Sequence, residues 1–186
     1  MPPKVKVTKE DIVAAGLALV RNHGPQALNA RTLAAKLGCS TQPIFSNFAG
    51  MDQLRLALAE QAEQLCAEYI QREVASGQFP PYKASGMAYI RFAKEERELF
   101  KLLYMCDRSI TPIPDDSKLT DQMEDLVHNN TGLTGKDAKL FHLEMWAYVH
   151  GIATMFATGF LNLEWDLVSK MLTDSYQGLR KQHEME

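Results

Sequence analysis

Between Arg31 and Phe48 the chain reads RTLAAKLGCSTQPIFSNF, and the side chains in this run suit contact with the edges of bases. Thr41, Gln42, Phe45, Ser46 and Asn47 offer hydroxyl, amide and apolar groups of the kinds that meet bases and phosphates in a DNA groove. Their neighbours decide which way they face. Ile44 and Phe48 lie four apart, so on a helix they share a face and pack inward, which leaves the polar positions outside. On the preceding helix Leu33 and Leu37 face inward and Ala34 is small enough for two helices to approach. Gly38 supplies the turn conformation, and Cys39 plugs that turn as a small apolar residue. Two short helices crossing at a glycine turn form a helix-turn-helix, whose second helix enters the major groove.

In that arrangement Gln42 is the best candidate for adenine, and Thr41 or Ser46 for a base or a phosphate. Pro43 could touch a thymine methyl, and Ser40 stands where the second helix needs a cap. Arg31, Lys36, Lys4 and Lys6 are candidate phosphate anchors. The charge distribution agrees. Residues 1–55 hold seven Lys/Arg against three Asp/Glu, a balance of +4, whereas the remaining 131 residues stand at −7. A basic head on an acidic body points to a polyanion partner for the head. A helical hairpin that merely packs would share the Ala/Gly pattern, and chance scatter could give the charge split.

Stepping outward along the chain, apolar residues recur at three and four nearly everywhere and never alternate for long, so an all-α fold is expected. Thr8 caps a first helix with Asp11 in an acidic capping box, and Ile12, Ala15, Gly16, Leu19 and Val20 make its core stripe. His23-Gly24-Pro25 ends it. A second helix opens at Asn29 or Ala30 and stops at Gly38; a third, capped by Ser40, reaches Phe48. Pro43 is tolerated there because first-turn amides have no partner within the helix. Gly50 and Asp52 start a long fourth helix that ends at the turn-rich Ser76-Gly77-Gln78-Phe79-Pro80-Pro81. Further helices are expected over 83–94, 95–106, 117–130, 135–160 and 164–182. The expected domains are 1–52, the helix-turn-helix head, and 53–186, the body, with their joint inside the fourth helix.

The segment from 8 to 55 resembles the tetracycline-repressor (TetR) family: an amphipathic first helix, TLAAKLGCS as second helix and turn, then QPIFSNFAGMDQL running into the fourth. Trp146-Ala-Tyr-Val-His150-Gly151 is similar to the Trp-x-x-x-His-Gly signature in the effector domain of one TetR subgroup. The resemblance implies an all-α homodimer of about nine helices per subunit. It also implies a C-terminal domain with an inducer pocket, and repression of transcription until a small molecule binds. Three positions depart from the family pattern. Phe45 replaces the usual tyrosine and loses a hydroxyl, Asn47 stands where histidine or tyrosine is common, and Met51 replaces a lysine. Each phosphate contact so lost would flatten the log–log salt dependence by about 0.9.

In the body, Met145, Val149, Ile152, Phe156 and Phe160 form one stripe, with His142, Trp146, His150 and Ala153 beside it. A helix apolar on two sides needs two partners. The last helix offers Trp165, Val168, Leu172 and Leu179. The expected subunit interface therefore comprises Val149, Ile152, Phe156, Phe160, Trp165, Val168, Leu172 and Leu179 in a twofold four-helix contact. Two heads held by it would demand a pseudo-palindromic operator on double-stranded DNA. The candidate effector pocket is Met87, Phe92, Leu103, Tyr104, Met123, His142, Trp146 and His150, aromatic walls with adaptable methionines and few polar groups; each would serve equally as plain core.

No cofactor or metal is expected: His142 and His150 would need a third ligand from another helix. The three cysteines, Cys39, Cys66 and Cys106, have no CxxC pairing, which suits a reducing, cytoplasmic setting. No stretch reads as a leader or membrane span. Glycine-rich phosphate loops and nucleophile elbows are lacking, so an enzyme ranks third. The second reading is an all-α dimer whose head has become a protein-interaction module, prompted by Phe45 and Met51.

Overall fold

A computed structural model of the 186-residue chain describes residues 7–106 and 125–183. Lys4, Lys6 and Met123 lie outside them. Among the described residues every regular element is helical, as the three-and-four periodicity requires. Helix α1 spans Lys9–His23, a 3-10 turn follows at Pro25–Ala27, and α2 and α3 span Ala30–Leu37 and Gln42–Asn47. Helix α4 covers Met51–Ser76, α5 Pro81–Glu95 and α6 Arg97–Tyr104. Residues 125–131 are helical, here α7. Helices α8 and α9 span Gly135–Thr158 and Trp165–His183.

The helix ends follow local chemistry. Thr8 caps α1 in a reciprocal box: the Asp11 amide donates to Thr8 Oγ1 at 3.1 Å and the Thr8 amide to Asp11 Oδ2 at 2.9 Å. The Thr8 backbone bond chiefly, then the Thr8 side chain, holds the Asp11 carboxyl below the usual range. Asn29 caps α2 the same way, its Oδ1 accepting from the amides of Arg31 and Thr32, which settles the start at Ala30. Gly38 ends α2 in the left-handed region, φ 64° and ψ 30°. The cap of α3 is Thr41, not Ser40, and its side chain makes no capping bond because Thr41 is itself already helical, at φ −72° and ψ −13°.

The helices fall into two compact units that divide within α4, between Gln64 and Leu65. The first holds α1 to α3, the start of α4, and α6. Its core is Ile12, Leu19, Val20, Leu28, Leu33, Ile44, Phe48, Leu54, Leu58, Leu99 and Phe100, all buried. Gly16 permits a close approach of α1 and α4: a Cβ there would lie 2.9 Å from Leu58 Cδ2. The α1–α6 contact is tied by Arg21, whose Nε and Nη2 donate to both Glu96 oxygens at 2.8 and 2.9 Å.

The second unit holds the rest of α4, α5 and α7 to α9. Helix α5 packs on α8 and α9 and is buried along Tyr82, Met87, Ile90 and Phe92. A Cβ on Gly86 would stand 3.1 Å from Leu172 and 3.4 Å from Val149, so this crossing is close enough to exclude larger side chains. Phe141, Ile152, Phe156 and Val168 complete this core.

Candidate nucleic-acid interface

Helix α3 has only six residues and cannot hold itself in water by backbone bonds alone. It is pinned from below. Ile44 is 1% exposed and Phe48 2%, and α3 packs in the first unit against α1. Pro43 sits in the first turn, where a missing amide costs nothing. With these residues inward, Ser40, Gln42, Phe45 and Ser46 are exposed and Thr41, Pro43 and Asn47 half-buried. The outer face expected from the spacing is therefore the face that stands clear.

The side chains on it are not equally available. Ser46 Oγ donates to the Gln42 carbonyl at 2.9 Å and Asn47 Nδ2 to the Pro43 carbonyl at 2.8 Å, so both are turned back on their own helix. Phe45 is 50% exposed. Arg31 and Lys36 are exposed on α2, and cationic side chains of this kind contact phosphates. Lys9 lies 5.3 Å over the Phe48 ring, a further cation beside α3 that spacing did not single out. Just beyond α3, Gln53 Oε1 accepts from the Ala49 amide at 2.6 Å, fixing the turn into α4.

In the second unit, Met87 and Phe92 are wholly buried, His142 and His150 half-buried, and Trp146 is 41% exposed. Leu103, buried, and Tyr104, half-buried, belong to α6 in the first unit. The two histidines face α5: Tyr82 Oη lies 3.1 Å from His142 Nδ1, and Tyr89 Oη 3.0 Å from His150 Nδ1. Trp146 stacks on His150 at 4.7 Å between ring centres and 18° between planes. Burial pushes the His150 imidazole below its ordinary pKa and the Tyr82 phenol well above its own. Tyr82 and Tyr89, seven apart on α5, were not singled out from the sequence. Their spacing marked a shared face, but nothing local showed that the histidines oppose it. Among the described residues no three His, Cys, Asp or Glu side chains gather where a metal could sit.

The residues expected between subunits divide sharply. Val149, Ile152, Phe156, Val168 and Leu172 are at most 7% exposed within the single chain. They are buried in the core of the second unit within the single chain. Trp165 and Leu179 are half-buried, and Phe160 is 77% exposed. Arg91 lies 4.7 Å over the Trp165 ring. The apolar surface left open on α8 is instead Leu140, Leu143, Trp146 and Tyr148, with Leu167 on α9. Among the described residues no helix is long and apolar enough to cross a membrane.

A family model described as "Tetracyclin repressor-like, C-terminal domain" matches residues 82–174, half of the chain. Solved structures of similar fold include a candidate transcriptional regulator from Pseudomonas aeruginosa PAO1, at TM-score 0.73 and 15% identity over 94% of this chain and 91% of that one. A candidate TetR-family regulator from Vibrio parahaemolyticus gives 0.67 and 18%, over 91% and 96%. A multidrug binding protein, EbrR, complexed with imidazole gives 0.61 and 17%, over 88% and 92%. No curated protein matches the chain.

Proposed function

Because the chain belongs to the tetracycline-repressor family, we propose that it is a sequence-specific DNA-binding repressor released by a small-molecule effector. The observation that carries this reading is α3: its inner face is locked by Ile44 and Phe48 while Gln42, Phe45 and Ser46 stand clear. Residues 1–52 form the DNA-binding domain and 53–186 the effector-binding and dimerisation domain. Gln42 reads a base, and Arg31, Lys36, Lys4 and Lys6 hold phosphates.

The protein acts as a homodimer on a pseudo-palindromic operator, because one six-residue helix buries too little DNA to be selective. The open apolar face of α8, from Leu140 to Tyr148, supports that assembly. The effector binds in the C-terminal domain beside Met87, Phe92, His142, Trp146 and His150. Support comes from EbrR, a similarly folded protein described as multidrug binding. Its signal reaches the head through α4, a single 26-residue helix shared by both units, and through the α5–α6 link. There Glu96 opens α6 and binds Arg21 of α1. The effector must favour one arrangement of the heads over another, and a coupling of about 1–3 kcal/mol would change operator affinity about 5- to 150-fold.

The test is an unbiased selection of duplexes by the full-length protein at low salt, repeated with Gln42→Ala. Enrichment of an inverted repeat that Gln42→Ala no longer binds supports the reading. Failure to enrich any repeat overturns it, and would favour an all-α protein-interaction module.

A further inference from the structure

Phe45 is the aromatic residue of α3, half of it open to solvent. It carries no hydrogen-bonding group, so it can neither grip a phosphate nor read a polar base edge. Its neighbours each turn one donor back on the helix: Ser46 Oγ donates to the Gln42 carbonyl and Asn47 Nδ2 to the Pro43 carbonyl. The centre of the exposed face is thus an apolar ring between groups turned back on the helix. The major groove displays one apolar feature, the C5-methyl of thymine. Ile44 is buried and Pro43 half-buried, so both offer less apolar surface than Phe45.

From this surface we infer that Phe45 is a specificity-determining residue that reads a pyrimidine C5-methyl group in the operator. The inference rests on the DNA-binding reading above. It also fixes a position. Gln42 and Phe45 are three apart on one helix, which sets their Cβ atoms about 5–6 Å apart, while bases on one strand step by about 3.4 Å. The methyl that Phe45 covers therefore lies one or two base steps from the base that Gln42 reads. Each half-site should prefer thymine there, tolerant of changes that keep the methyl.

The experiment uses full-length protein and its selected duplex, with each half-site thymine replaced in turn by uracil, which removes one methyl and nothing else. Burial of one methyl is expected to be worth about fourfold in affinity, or about fifteenfold when both half-sites are substituted. One position should show this loss, and a cytosine placed there should gain about fourfold on 5-methylation. Phe45→Ala should bind the thymine and uracil duplexes equally; half of the ring is buried, so circular dichroism at the binding temperature accompanies the measurement to show that the variant is folded. Uracil tolerated at every position overturns the inference, as does Phe45→Ala that keeps the uracil penalty, which would assign the methyl to Pro43. If the protein enriches no duplex at all, the DNA-binding reading falls first and this one with it.

Discussion

Gly38→Ala tests whether the turn between α2 and α3 works as its geometry implies. Gly38 holds φ 64° and ψ 30°, and the Gly38 and Cys39 amides bind the Ala35 and Ala34 carbonyls at 3.2 and 3.0 Å. A Cβ placed on it meets nothing within 4 Å, so no clash contributes and the cost is purely that of a left-handed L-residue. That cost is about 1–2 kcal/mol, offset by about 0.4–1 kcal/mol from a stiffer unfolded chain. The net loss is about 1 kcal/mol, a fall in melting temperature of about 2–4 °C for a chain of this length. Circular dichroism melts at one fixed protein concentration would measure it. Gly38→Asn should fall between, because asparagine tolerates this region. Alanine as stable as glycine, or asparagine no better than alanine, would show that the left-handed backbone at this turn carries no such cost. A much larger loss would show that packing, not backbone strain, holds the turn.

A double-mutant cycle on Arg21→Ala and Glu96→Ala should give a coupling near the top of the surface range, about 1 kcal/mol. The pair is bidentate but the Arg21 side chain is 43% exposed, so the coupling should shrink in high salt, and urea titrations would show it. Met51→Lys should steepen the log–log salt dependence of operator binding by about 0.9 per subunit, measured by fluorescence anisotropy. Leu143→Glu, on a side chain 58% exposed, should leave the fold intact and yield monomers by analytical ultracentrifugation, whereas Val149→Ala should lower stability without dissociating the dimer. His150 has its folded pKa pushed below the ordinary 6.5 by burial. The unfolded chain therefore takes up the proton first, and stability should be full above pH 6.5 and decline as pH falls below it. Urea midpoints for wild type and His150→Asn should diverge across that window.

The head was legible because its signals are local. Thr8 with Asp11, Asn29 with Thr32, and Gly38 each set a helix end through partners within five residues, so their spacing alone carries the geometry. The split between inner Ile44 and Phe48 and outer Gln42 and Phe45 follows from the helical period. The body was less legible because its decisive contacts join residues far apart. The Val149–Ile152–Phe156 stripe was visible as apolar, but periodicity cannot say whether a stripe meets its own chain or another. Gly86, small enough to let Leu172 and Val149 close in, commits that face to the protomer core and leaves Leu140 and Leu143 outside. Likewise Leu103 and Tyr104 follow α5 closely in sequence yet belong with α1 in the first unit. The pairing of Tyr82 with His142 and Tyr89 with His150 spans 60 and 61 residues, beyond any local pattern.

Titrating the full-length protein onto its selected duplex and measuring the mass of the complex by light scattering tests whether the outer face of α3 reads DNA as one half of a twofold dimer. Two protomers per inverted repeat are expected, with affinity that falls as salt rises and collapses when Gln42 is replaced by alanine. A single protomer per duplex, or binding that ignores the Gln42→Ala change, would contradict it.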